Sequence, residues 1–274
     1  MRPNFLLIGA MKCATTTLWT MLRRHPQVFM TLEEKEPGFF SRDEVFARGW
    51  PWYESLFFGS GNKLAVGEGT TGYTKKAIYP NASQRIASYL PDVKLIYIVR
   101  NPLERIESHW RHLLGRGERV SFEDLLSRPD VVDTSRYWRQ ISAYREHFED
   151  EQILVLFFED FVQDPGAVLE RCFEFLGVDP SLGLTDSNLI VNASTDYGVD
   201  GPLIRFVRKL PGVESIKLAA PVFSKAVGAK LRRPMPEPPI WPAELRQQVI
   251  DQLADDSAMF LRHYDKPTDW WQLD

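Results

Sequence analysis

The stretch that decides the fold is Asn4-Phe5-Leu6-Leu7-Ile8-Gly9-Ala10-Met11-Lys12-Cys13-Ala14-Thr15-Thr16-Thr17-Leu18. Asn4 to Gly9 is a short, nearly continuous apolar run, which predicts a buried strand. Small residues then carry the chain through a tight turn. Thr15 to His25 predicts a helix, stopped by Pro26. Backbone N–H groups at a helix start point outward and favour an anion. Lys12 adds a full positive charge, and Thr15, Thr16 and Thr17 add hydroxyl donors. The plain alternative is an ordinary strand–helix turn with a surface lysine. Lysine, small residues and a threonine run occurring together after the first strand favour a phosphate loop.

The loop departs from the Walker A pattern. That motif places lysine directly before the helix hydroxyl and a glycine before the lysine. Here Lys12 stands three residues before Thr15, and no glycine precedes it directly. A nucleoside triphosphatase also wants an aspartate for magnesium near a strand end. The strongest strand instead ends in Ile98-Val99-Arg100. Lysine, arginine and hydroxyls together can hold a phosphorylated nucleotide without metal.

Outward from this loop, short β-type runs alternate with helical patterns. Further strands are predicted at Gln27 to Met30, Leu64 to Glu68, Lys94 to Val99 and Ile153 to Phe158. Helices are predicted at Trp52 to Phe58, Ala82 to Leu90, Pro102 to about Leu114, Tyr137 to Phe148, Pro165 to Leu176 and Ala243 to Tyr264, with a capped start at Ser121. Strands separated by helices imply parallel crossovers. The fold class expected is α/β, a P-loop-like three-layer αβα arrangement around a central, mostly parallel five-stranded sheet. Ligands in such folds sit at the carboxyl ends of the strands.

The 274 residues suit one large α/β domain spanning 1–274. With Lys+Arg at 33 and Asp+Glu at 37, the net charge of −4 disfavours a globally basic nucleic-acid binder. Two cysteines, Cys13 and Cys172, exclude a disulfide scaffold and a four-cysteine zinc site. No histidine, cysteine and carboxylate cluster has metal spacing, so no catalytic metal is expected. No apolar run is long enough to span a membrane. The run Phe5 to Ile8 is read as mature structure rather than a leader, and a soluble cytoplasmic protein is expected.

Residues 198–239 differ in composition. Eight basic residues, including Lys230, Arg232 and Arg233, face three acids amid repeated prolines. The segment reads either as a mobile lid or substrate-facing element or as a solvated connection. Its charge suits an anionic acceptor, a peripheral membrane contact, or framing of a cofactor, and the three readings stay open.

A second anion grip follows the strongest strand, at Arg100-Asn101-Pro102-Leu103-Glu104-Arg105-Ile106-Glu107-Ser108. A guanidinium fork at Arg100 and the Ser108 hydroxyl suit one phosphate. Taken alone, both residues would more often be surface residues. Two grips at one sheet edge imply a nucleotide with two separated phosphates.

Gly9-x-x-Lys12-x-x-Thr15-Thr16 and Arg100-Asn101-Pro102-x-x-Arg105-x-x-Ser108 resemble the paired nucleotide motifs of the sulfotransferases, which use 3′-phosphoadenosine 5′-phosphosulfate (PAPS). The resemblance is nearest to bacterial sulfotransferase-domain proteins and the heparan-sulfate 3-O- and N-sulfotransferases. It extends to Lys35-Glu36-Pro37-Gly38-Phe39-Phe40, Gly67-Glu68, Phe158-Glu159-Asp160 and Trp270-Trp271, and is weak between Gly198 and Arg232. It implies that Lys12 and the backbone of Cys13, Ala14, Thr15, Thr16 and Thr17 hold the 5′-phosphosulfate. It implies the 3′-phosphate at Arg100 and Ser108, and a loose match to a cofactor-closing loop at Arg232 and Arg233. Glu36 falls where the heparan-type enzymes place their catalytic carboxylate.

Three departures stand out. Cys13-Ala14 replaces a frequent Gly-Gly. Glu68 is followed by Gly69 rather than a lysine, so one cation is missing. The C-terminal cysteine pair is absent, which fits a reducing compartment and weakens the case for a heparan acceptor.

The expected reaction is sulfuryl transfer to an acceptor hydroxyl, or less readily an amine, on a small molecule, carbohydrate or lipid. Glu36 acts as general base, with Glu33, Glu34 and Glu68 as fallback carboxylates. Lys12 neutralises charge on the leaving oxygen. His109 and His112 read as surface or supporting residues. Trp19, Trp50, Trp52, Tyr53, Tyr73, Trp138 and Tyr144 read either as core or as lining of an acceptor cleft. The alternatives are a P-loop-type kinase and a non-catalytic nucleotide-binding protein of the same fold.

Overall fold

Five short apolar runs pair into one sheet, and the order in which they pair places the loop after the first strand. The computed structural model describes residues 2–31, 36–183, 199–200, 232–233 and 237–273. The strands are β1 (Phe5–Gly9), β2 (Val28–Met30), β3 (Ala65–Gly69), β4 (Lys94–Val99) and β5 (Ile153–Phe157). Their order is β2-β3-β1-β4-β5, and every neighbouring pair runs parallel. A parallel sheet needs cover on both faces, and β1 and β3 are accordingly buried along their whole length. The sheet expected to be mostly parallel is parallel throughout, within the P-loop-like αβα fold.

The helices are α1 (Thr15–Arg24), α2 (Asp43–Phe46), α3 (Trp50–Ser55), α4 (Ala82–Tyr89), α5 (Pro102–Gly115), α6 (Phe122–Leu126), α7 (Pro129–Asp133), α8 (Tyr137–Arg145), α9 (Phe158–Gln163), α10 (Pro165–Leu176) and α11 (Ala243–His263). Helix α1 buries Leu18, Met21 and Leu22 at helical spacing. Helix α10 starts where the Asp164 side chain accepts the Ala167 N–H, and it stops at Gly177 in the left-handed region. The Ser121 hydroxyl accepts the Asp124 N–H at 3.0 Å, the capped start expected there.

Some boundaries differ from the sequence reading. The aromatic helix runs Trp50–Ser55 rather than Trp52 to Phe58, because Pro51 is tolerated in the first turn. The fifth strand ends at Phe157, and Phe158 opens α9 with Glu159 and Asp160 in its first turn. Short helices α2 and α7 were not expected; each is too brief to show a periodicity.

The chain groups into two compact units. The first comprises Met1–Ile106, Leu126–Val191 and Trp241–Asp274; the second comprises Glu107–Leu125 and Asn192–Ile240. The second unit contains the antiparallel pair β6 (Val199–Asp200) and β7 (Arg232–Arg233). Apart from 199–200, 232–233 and 237–239, the segment read as a lid or connection lies outside the described residues. Among the described residues, no helix is long and apolar enough to cross a membrane.

The strand order locates the site. From β1 the chain builds β2 and β3 on one side, then crosses to β4 and β5 on the other. The order therefore reverses between β1 and β4. In open parallel sheets that reversal leaves a crevice at the carboxyl ends of the two strands.

Candidate active site

The turn after β1 is built to present backbone. Lys12 and Ala14 take left-handed backbone conformations, at φ 74° and 63°. Ala14 is the N-cap of α1 and offers no side-chain cap, and the Leu18 N–H is the first to bond back, to the Ala14 carbonyl at 3.0 Å. The amides of Thr15, Thr16 and Thr17 thus precede the helical ladder, as the first turn of any helix requires. Thr15 is buried, Thr17 half-buried and Thr16 exposed; Lys12 is half-buried. The Cys13 side chain turns inward to the Tyr137 hydroxyl, 3.8 Å away, and burial pushes its thiol up to about 12. It is an inert packing group, leaving its backbone to the loop.

The loop is tied directly to the strand that ends in Arg100. The Ala10 N–H donates to the Ile98 carbonyl at 2.7 Å. Lys12 lies two residues beyond one end of that bond and Arg100 two residues beyond the other. The Arg100 guanidinium lies 4.5 Å from the centre of the Phe158 ring, and its Nε donates to Glu104 Oε2 at 2.9 Å. Asn101 holds the backbone behind it. Its side-chain oxygen accepts the Leu103 N–H at 2.9 Å, capping α5, and its amide donates to the Trp271 carbonyl at 2.8 Å. The Asn101 N–H donates to Glu159 Oε1 at 2.7 Å, and burial pushes the Glu159 carboxyl up. Arg105, five residues on, is fully buried and bonds Ser135 Oγ and the Val131 carbonyl. It braces α5 from within.

Glu36 is exposed, and it is anchored from the end of β3. The Thr71 hydroxyl donates to Glu36 Oε2 at 3.0 Å. Arg42 Nη2 donates to the Pro37 carbonyl at 2.6 Å and to the Glu36 carbonyl at 3.4 Å. Glu68 does a different job from the fallback base expected of it. Its side chain is fully buried, and its oxygens accept the hydroxyls of Tyr53, Tyr73 and Thr70. An acid with no exposed surface does not face an acceptor, so the burial of Glu68 does not fit the fallback-base expectation. Thr70 Oγ1 in turn accepts the Gly38 N–H at 3.1 Å, which connects Glu68 to the segment carrying Glu36. Burial, above all, pushes the Glu68 carboxyl up to about 7.

The structure thus brings Lys12, the Cys13–Thr17 backbone and Arg100 to one sheet edge, with Glu36 fastened to the tip of β3. Ser108, half-buried on α5, and Arg232 and Arg233, in β7, belong to the second unit. Glu33 and Glu34 lie outside the described residues. Of the aromatics weighed for a cleft, Tyr53, Tyr73 and Tyr144 are core, and Trp19, Trp50, Trp52 and Trp138 pack against it. Among the described residues, no group of three or more His, Cys, Asp or Glu side chains is placed to hold a metal ion.

The profile of the sulfotransferase domain matches residues 2–193. This chain belongs to the sulfotransferase domain family. Over 205 residues it is 31% identical to human heparan sulfate glucosamine 3-O-sulfotransferase 6, covering 71% of this chain and 57% of that protein. Against the mouse enzyme 3B1 the identity is also 31%, over 71% of this chain and 50% of the relative. The chain thus spans about half the length of the curated relatives it matches. Its fold is similar to that of a sulfotransferase from Alicyclobacillus acidocaldarius, with a TM-score of 0.70, 24% identity and 99% of each chain covered.

In this sulfotransferase-domain chain, several residues around the candidate site escaped the sequence reading. Thr71 and Arg42 carry no motif. Glu104 showed the i,i+4 spacing to Arg100 that would have revealed their ion pair. Lys75, in a Lys75-Lys76 pair resembling any solvated charge run, gave no signal at all. Its Nζ donates to the Met11 thioether, in the loop after β1, at 3.1 Å.

Proposed function

We propose that this chain moves a sulfuryl group from PAPS to an acceptor hydroxyl, or less readily an amine, with Glu36 as general base. The single observation that carries this reading is the Ala10 N–H···O=C Ile98 bond, which joins the phosphate loop to the strand ending in Arg100. Two cationic grips that spring from hydrogen-bonded neighbouring strands suit a nucleotide carrying phosphate at two positions.

The donor site fits the residues present. The helix start at Thr15–Thr17 and Lys12 take the 5′-phosphosulfate, and Arg100 takes the 3′-phosphate. The assignments of Ser108, Arg232 and Arg233 to the nucleotide rest on the sequence resemblance. In the reaction, an acceptor oxygen lone pair forms the new O–S bond. The bridging S–O bond breaks, and its electron pair leaves on the 5′-phosphate. The hydroxyl proton passes to the Glu36 carboxylate. The loop amides and Lys12 stabilise the charge that grows on the departing phosphate. Carbohydrate hydroxyls are the first acceptors to screen, because the 31%-identical relatives are named for heparan sulfate glucosamine. Small molecules and lipids come next.

Calorimetry with 3′-phosphoadenosine 5′-phosphate and with ATP plus magnesium tests the donor reading. The bisphosphate should bind tightly and Arg100→Ala should abolish that binding, whereas preference for ATP plus magnesium would favour a kinase. Mass spectrometry of acceptors incubated with PAPS then looks for gain of one sulfuryl group. Binding with no transfer to any acceptor would mark a non-catalytic nucleotide-binding protein.

A further inference from the structure

We propose that Lys75 is a further catalytic residue, a second cation that holds the sulfonate oxygens of the donor during transfer. This rests on the sulfotransferase reading and extends it to a residue outside the nucleotide motifs.

The backbone of β1 fixes where Lys75 must lie. Gly9, at φ 154°, has no side chain, and a Cβ there would fall 2.0 Å from Thr74 Oγ1. The missing Cβ lets the 3-10 turn Thr71–Thr74 pack directly on the end of β1, where the Thr74 hydroxyl donates to the Ile8 carbonyl at 3.0 Å. The same turn is held from its other side. The Tyr144 hydroxyl donates to the Tyr73 carbonyl at 2.8 Å, and the Lys76 N–H donates to Gln140 Oε1 at 2.8 Å. Lys75 therefore extends from a fully braced turn, and its ammonium reaches the loop at Met11, the residue before Lys12.

That placement is costly unless an anion arrives. Lys75 is half-buried, and an ammonium leaving water needs a strong acceptor. Among the described residues, the acceptor within hydrogen-bond distance is a thioether, which is a weak one. Burial and the Arg105 guanidinium hold the Lys75 ammonium below its usual range, while Asp130 and Glu36 oppose that effect. The turn that carries Lys75 also holds Glu36, through the Thr71 hydroxyl at 3.0 Å. One cation that reaches the loop after β1, from the turn that holds the proposed base, stands where the sulfonate must pass between donor and acceptor. In this role Lys75 transfers no proton. Its charge offsets the negative oxygens of the sulfuryl group while the O–S bond forms on one side and the S–O bond breaks on the other.

The test compares two nucleotides that differ by the sulfonate alone. Dissociation constants for PAPS and for 3′-phosphoadenosine 5′-phosphate are measured on wild type, Lys75→Met and Lys75→Arg, with thermal melting as the check on folding. Lys75→Met should weaken PAPS about tenfold or more, the loss of one charged hydrogen bond, and should change the bisphosphate by no more than about threefold. Lys75→Arg should keep both close to wild type. Equal weakening of both nucleotides, or unchanged PAPS affinity in Lys75→Met, would overturn the assignment while leaving the sulfotransferase reading intact. If wild type binds neither nucleotide, that parent reading falls and this one with it.

Discussion

Replacing Glu68 by Gln isolates one buried carboxyl and gives it a measurable pH signature. Burial raises this group from an ordinary 4.5 to about 7 in the folded chain. A carboxyl raised on folding stabilises the fold fully below its unfolded value and loses that contribution as pH rises through its folded value. Full ionisation therefore costs about 3 kcal/mol, at about 1.4 kcal/mol per pH unit. The geometry shows why Gln is the right substitute. Glu68 Oε1 accepts from Tyr53 and Tyr73 and Oε2 accepts from the Thr70 hydroxyl; on protonation Oε2 becomes a donor and the Thr70 hydroxyl turns to accept from it. A glutamine amide offers the same donor and acceptor and never ionises. Urea unfolding of wild type and Glu68→Gln at about pH 5.5 and about pH 8, at fixed ionic strength, gives the comparison. Other titrating groups cancel between the two proteins. The stability difference should move by about 2 kcal/mol in favour of Gln across that window, or about 0.7 M in urea midpoint at a slope near 3 kcal/mol/M. Parallel pH dependence in the two proteins would show that Glu68 titrates as an ordinary carboxylate and would refute the effect of burial argued for it.

Other expectations concern the site itself. Glu36→Gln should lower the transfer rate on the order of 10²–10⁴-fold while bisphosphate affinity holds; near-normal turnover at saturating PAPS would remove Glu36 as base. Glu104→Gln frees the Arg100 guanidinium from its i,i+4 partner, and isothermal titration should find the bisphosphate bound about two- to fivefold more tightly, the worth of an exposed ion pair. Ala14→Gly relieves a left-handed alanine and should raise stability by about 0.5–1 kcal/mol, seen as a melting point roughly 2 °C higher; a lower melting point would mean that packing of the Ala14 methyl outweighs the strain.

Much of the scaffold was legible because its signals are local. Each strand of the sheet is a short apolar run, and the helices between them pointed to a mostly parallel sheet. The loop at Lys12 and the arginine at position 100 both stand directly after such runs, so their shared sheet edge followed from the pattern. Short helices such as α2 and α7 escaped because five residues or fewer cannot display a helical period. Glu68 was misjudged for a different reason. A glutamate in a strand looks the same whether it points to water or into a nest of two tyrosines and a threonine. The difference lies in Tyr53, fifteen residues away, and in the fold that returns it.

What the sequence determined by itself was the five strands, the longer helices between them and the family. These depend on neighbours along the chain, where periodicity and motif spacing act. Only the tertiary structure decided which charges meet. It set Lys75 against Met11, tied Thr71 to Glu36, and fastened Asn101 to Trp271 across 170 positions. Electrostatic and hydrogen-bond energies depend on distance in space, and the folded backbone alone fixes that distance.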